Sequence, residues 1–166
     1  MKILTLLNGR PTNVTPISVS AGAASAAQVF QTDPTGRIDP SFMPVGVMAD
    51  NVVITAFEAL SAGDFVNIYS NAGVANARRA QASSLTLEAH GYVLTAVAAA
   101  AAATVYYDDN NTAQATMTPG LQFLSDTLFG KCQIAAPTAA GTIVQIVGIA
   151  SSATAVHVRF GDSYTN

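Results

Sequence analysis

Along residues 51–162 of this chain, short β-branched or alternating apolar segments separated by turn residues predict strands rather than helices. Residues 51–58, NVVITAFE, are rich in the β-branched side chains that suit a pleated surface. Residues 65–69 alternate: Phe65, Asn67 and Tyr69 face one way, Val66 and Ile68 the other. Asn71-Ala72-Gly73 reverses the chain and Val74–Arg79 returns, which reads as a hairpin. Further strands are expected at 91–97, 104–107, 112–117, 121–125 and 132–135, with turns at Asp108 to Asn111, at Pro119-Gly120 and at Gly130. The pair 142–150 and 153–160 closes the chain as a hairpin about Ser151-Ser152. Val156, Val158 and Phe160 share one face of its last strand, His157 and Arg159 the other.

One run resists the pattern. Ala96 to Ala103 is almost pure alanine, the best helix former. A helix so short is marginal by itself, and no capping residue precedes it, so a tight crossover or strand continuation is expected.

The first fifty residues differ from the rest. Five of the seven prolines fall there, and Ser18 to Gln28 is a stretch of small residues too poor in apolar surface to fold alone. A short strand is expected at Ile3–Leu7, and a turn, brief extension and second turn from Asp33 to Pro44. Ile38, Phe42 and Met43 are apolar anchors without a local core, expected to dock on this domain or on a neighbouring subunit. The expected architecture is an all-β fold: a small β-sandwich or β-barrel, a β-tulip-like arrangement included, spanning 51–166 behind an extended N-terminal arm, 1–50, that contacts neighbouring subunits.

Composition sharpens this. At 166 residues the chain is long enough for a real core. Half of its residues are hydrophobic, yet only 10% are charged, against about 25% in an ordinary domain. So few charges leave two readings, a neutral surface of Ser, Thr, Asn and Ala or a surface largely covered by neighbours, and the second is favoured. A net charge of −3, without a cluster of cations, argues against direct nucleic-acid binding. No apolar run approaches the ~20 residues of a membrane span, so no membrane partner is expected. The apolar stretch 3–7 is broken at Asn8, Gly9, Arg10 and Pro11, unlike a secretory leader, and synthesis in the cytosol is expected. The lone Cys132 excludes an intrachain disulfide and reads as a small buried apolar residue.

Candidate chemistry is sparse. Adjacent Asp108 and Asp109 would point to opposite faces of a strand, and DDNNTAQA lacks the Gly and Glu of a calcium loop. His90 has Glu88 two residues away but no nucleophile motif beside it. His157 sits on an outer face. No phosphate loop, zinc spacing or metalloprotease motif is present, so no catalytic, metal-binding or cofactor-binding residue is assigned, and no enzyme is expected. The charges that stand out are Arg37 with Asp39, and the pair Arg78 and Arg79, as residues of subunit contacts.

Several segments carry a resemblance: MKILTLLNGRP, QTDPTGRIDPSFMPVGV, EALSAGDFVNIYSNAGVANARRA, AHGYVLTAV, MTPGLQFLS and GTIVQIVGIA. Together they resemble a family of small proteins encoded near the major capsid protein of tailed phages, the capsid decoration or cement proteins. The most telling are Gly36-Arg37-Ile38-Asp39 leading to Met43-Pro44, Ala62 to Val66 with Ala80, and Thr118 to Leu121. Where the family's loop after the AHGYVLTAV-like strand often has Gly, this chain has Ala99 to Ala103. The resemblance implies a structural protein of the virion that reaches the capsid exterior from the host cytoplasm. It would bridge major capsid protein subunits and contact itself as a dimer or trimer. Its interface residues would include Arg37, Ile38, Asp39, Phe42, Met43, Arg78 and Arg79. An alternative is a head-fibre or tail-associated adhesin that binds host glycans through Tyr106, Tyr107 or Tyr164.

Overall fold

The structure, a computed structural model, describes residues 3–7, 10–34, 36–43 and 50–166, and it divides into two compact units, 1–48 and 49–166.

In the first unit β1 (Ile3–Leu7) forms the expected strand and pairs antiparallel with β2 (Arg10–Val14). Pro11 lacks a backbone donor, but a two-stranded ribbon has an open edge on each strand that tolerates it. After the ribbon, Ile17 N–H donates to the Val29 carbonyl and Gln31 N–H to the Ile17 carbonyl, both at 2.9 Å. The ring of Phe30 rests against Phe42 with centroids 5.7 Å apart. Short 3-10 turns occupy Gly22–Ser25 and Pro40–Phe42. The turn expected at Asp33 is present: Gly36 N–H donates to its carbonyl and Arg37 N–H to its carboxylate. The break expected at Asn8-Gly9 and the turn at Pro44 lie outside the described residues.

The second unit is all-β and built around a closed five-stranded barrel. Its strands are β3 (Asn51–Ala56), β4 (Phe65–Asn71), β5 (Val74–Arg79), β6 (Gly91–Tyr92) and β7 (Ala102–Tyr106), in the order β3-β5-β4-β6-β7. The hairpin β4–β5 forms as its alternation predicts, from Val66 opposite Arg79 to Asn71 opposite Val74. A short parallel pairing, Thr55 with Asn76 and Ala56 with Ala77, closes the ring against β3. The barrel is narrow, and small or branched side chains fill it: Ile54, Ala56, Leu60, Val66, Ala77, Val93, Ala103 and Val105 are all buried together.

A five-stranded sheet follows, in the order β10-β9-β12-β13-β8, made from β8 (Asp109–Asn111), β9 (Gly120–Leu124), β10 (Cys132–Gln133), β12 (Ile146–Ser152) and β13 (Ala155–Val158). Between β10 and β12, β11 (Ile143–Val144) leaves to pair with the terminal β14 (Tyr164–Thr165). A second core joins sheet to barrel: Phe65 and Tyr92 from barrel strands pack with Leu124, Val147, Val156 and Val158 from the sheet. Each such large side chain contributes about 1.5–3 kcal/mol by leaving water.

Four expectations are corrected. Asp109–Asn111 is a strand rather than a turn, because β13 offers it a ladder and the buried Asn111 amide donates to the Gly63 carbonyl at 3.0 Å. Residues 112–117 are not a strand: they pair with no neighbouring strand among the described residues, and Thr116 turns left-handed with a φ of 56°. The strand expected at 91–97 stops at Tyr92, and Val97 keeps only a bridge to Leu60. The closing hairpin turns at Ala153-Thr154, two residues beyond Ser151-Ser152. The alanine run is a crossover that feeds β7, turning left-handed at Ala100 with a φ of 63°.

Candidate interaction surfaces

The residues singled out in the first unit lie largely in solvent. Arg37 is exposed, as are Ile38 (46%) and Met43 (45%). Phe42 is half-buried, with its ring against Phe30. Asp39 accepts a hydrogen bond from Ser41 N–H at 2.9 Å, and its bonds to Ser41 hold its carboxyl below the usual range. Val19 and Phe30 add further exposed apolar surface.

Arg78 and Arg79 are engaged within the second unit. The Arg78 guanidinium lies 4.2 Å from the centre of the Tyr69 ring and donates to Asn67 Oδ1 and to the Thr86 carbonyl. Arg79 pairs with Glu58 at 2.8 Å and also covers the Phe129 ring. Partial burial pushes the Glu58 carboxyl up, but hydrogen bonds from Arg79 outweigh that and hold it below the usual range. Both arginines therefore brace the barrel wall while leaving only part of their surface to a neighbour.

The two histidines do not meet. His90 accepts Ile68 N–H on Nδ1 at 3.0 Å, which leaves Nε2 to donate to Glu88 Oε1 at 3.2 Å. Ser163 donates to the other Glu88 oxygen at 2.5 Å. The carboxylate thus stands between hydroxyl and imidazole. Acyl transfer by a serine needs the reverse order, with the imidazole next to the hydroxyl and the acid behind it. This cluster instead pins the C-terminal segment to the loop before β6. His157 is exposed on the sheet.

Among the described residues no group of three or more His, Cys, Asp or Glu side chains is placed to hold a metal ion, and no helix is long and apolar enough to cross a membrane. Tyr106 stacks on Tyr92 at 5.6 Å, so its ring is not free as a platform, whereas Tyr164 is exposed. A cleft of about 510 Å³ beside β9 and β10 is lined by Gln114, Met117, Gln122, Leu128, Lys131 and Ile134. Its one cation is taken up: Lys131 Nζ is 2.5 Å from the buried Asp64 carboxylate.

Two features escaped the sequence reading. Asp64 is almost wholly buried and binds Ser61 N–H as well as Lys131; its place in the turn Leu60 to Asp64 gave no sign of burial. Leu121, Ile146 and Ile149 present aliphatic side chains to solvent on the sheet. The glycine at 148, inside an apolar strand, was the available signal for an irregularity there. In comparison with known proteins, the chain matches no family model, no curated protein and no solved structure.

Proposed function

We propose that this protein decorates the outside of a tailed-phage capsid and stabilises the shell by bridging major capsid protein subunits. The observation that carries the reading is the pairing of a charge content of 10% with large apolar side chains left in solvent on both units, among them Phe30, Ile38, Met43, Phe57, Val74 and Ile149. Scattered single exposed apolar residues are ordinary, but so many in a chain this poor in charge suit faces that neighbours cover. The resemblance of the segments around Arg37 to Met43 and Thr118 to Leu121 supports the same role. A decorating protein needs contact area on a repeating lattice, where weak contacts sum to avidity. Residues 1–50 act as a strap across a neighbouring subunit in this reading, with Ile38, Phe42 and Met43 as its anchors and Arg37 and Asp39 fixing its register.

The test is limited proteolysis of the free protein and of the protein bound to expanded shells. The proposal expects residues 1–45 to gain protection on the shell. Equal protection in both states contradicts it.

A further inference from the structure

Within the second unit, the outer face of the sheet carries an open trough. In a regular strand Ile146 and Ile149, three residues apart, would face opposite sides. A bulge between Ile146 and Gly148, where β12 pairs with β9, brings both outward. Gly148 makes this geometry workable: its φ is 153°, and a Cβ there would run into the His157 carbonyl oxygen. Only glycine lets β12 lie so close to β13 at this point. Ile149 stands opposite Leu121 on one neighbouring strand and His157 on the other. Phe160 and Gly161 close the far side, giving a volume of about 340 Å³, within the ~300–1,000 Å³ of ligand clefts. Its aliphatic walls are wet: Ile149 is 53% exposed, Leu121 43% and Ile146 36%.

The rim supplies charge. Arg159 and His157 both line the trough and are exposed, and among the described residues neither side chain meets a hydrogen-bond or ion-pair partner. In the same unit Arg78, Arg79 and Lys131 are all engaged by acceptors of the chain itself. No Asp or Glu lines the trough.

We propose that this trough binds an extended segment of a partner protein that carries an aliphatic side chain and, two residues on, a carboxylate. Residues two apart on an extended chain point the same way, about 6.6 Å apart, so the aliphatic group enters between Ile146 and Ile149 while the carboxylate meets Arg159. One guanidinium and one imidazole, without a clustered run of cations, suit a single carboxylate better than a nucleic-acid backbone. The inference names the partner chemistry of the decoration role and rests on that reading only for who the partner is.

The experiment is chemical-shift mapping on the full-length ¹⁵N-labelled protein with the peptide acetyl-Ser-Leu-Ser-Asp-Ser-amide. The expected result is saturable movement of the amides of Gly148, Ile149, His157 and Gly161. Affinity falls about threefold when the peptide's Asp is replaced by Asn, as for an exposed ion pair. Binding is lost when its Leu becomes Ala, and lost in the Arg159→Glu variant, which keeps its dispersed spectrum because the side chain is exposed. No movement at these amides, equal response to all three peptides, or binding only to phosphatidylglycerol vesicles overturns the proposal. Shells separate the two readings. Arg159→Glu protein that decorates them as well as the native chain removes the trough from that role and leaves decoration standing. Native protein that ignores shells removes decoration, while the peptide result still judges the trough.

Discussion

The amide of Gln145 takes the place of a strand neighbour for Ala89. Its Oε1 accepts Ala89 N–H at 2.7 Å and its Nε2 donates to the Ala89 carbonyl at 2.9 Å, with both residues buried. It ties the loop before β6 to the segment between β11 and β12. Gln145→Leu keeps most of the volume but leaves two buried backbone groups unpaired, each worth about 1–3 kcal/mol. Denaturant unfolding should show a loss of roughly 2–5 kcal/mol with little change of slope. A polar residue inside TIVQIVGIA was visible in the sequence; its partner, more than fifty residues away, was not. Cys132 was read as small and buried, and it does pack beside the sheet core, half-buried. Burial pushes its thiol up to about 11. Because only the thiolate reacts, iodoacetamide at pH 8 should modify the folded protein at least about a hundredfold more slowly than the unfolded one. Equal rates would show that the thiol is not shielded as described.

At the scale of elements, legibility followed how local the cause was. The β4–β5 hairpin was readable because alternation and a Gly-containing turn lie within one short segment. The face assignment of β4 also held, with an added meaning. Val66 and Ile68 fill the barrel while Phe65 joins the core beneath the sheet, so both faces of the strand are used. Asp109–Asn111 was illegible because its strand state comes from β13, far along the chain, against the turn preference of Asp and Asn. The last strand, Tyr164–Thr165, was missed for the same reason: only its pairing with β11 makes it a strand.

That terminal strand is held partly by Glu88. The hydrogen bond from Ser163, then the contact with His90, keep the Glu88 carboxyl below its ordinary value of 4.5. A carboxyl with a lowered folded value stabilises the fold fully above its unfolded value, and that contribution disappears as pH falls through the folded value. Its size is at most about 1 kcal/mol, since water reaches the side chain. Glu88→Gln should therefore be slightly less stable than the native chain at pH 7, and the two should converge once the pH has fallen through the lowered folded value of Glu88. A constant gap across that range in pH-dependent melting would refute the clasp.

For the whole molecule, the sequence led to an all-β domain, and the closed barrel with its attached sheet is one. It did not reveal that there are two cores, because the small residues that fill the barrel, Ala56, Ala77 and Ala103, give no strong hydrophobic signal. Nor did it reveal the trough at Gly148, because the bulge there depends on how β12 pairs with β9. The proposed interface residues fall into two groups. Ile38 and Met43 stand in solvent, available to a neighbour, whereas Arg78 and Arg79 are already committed to Tyr69, Asn67 and Glu58. If the surface serves coverage of a lattice, substitutions at the first group should weaken shell binding, while those at the second should act first on stability.

The central claim is that the protein functions by occupying repeated positions on a shell. The direct measurement is a titration of purified, expanded capsids with the full-length chain, counting bound copies per particle. The account predicts saturation at a number set by the lattice, with a rise in the temperature at which the shells come apart. Binding that never saturates, or no binding to assembled capsids by a folded protein, would contradict it.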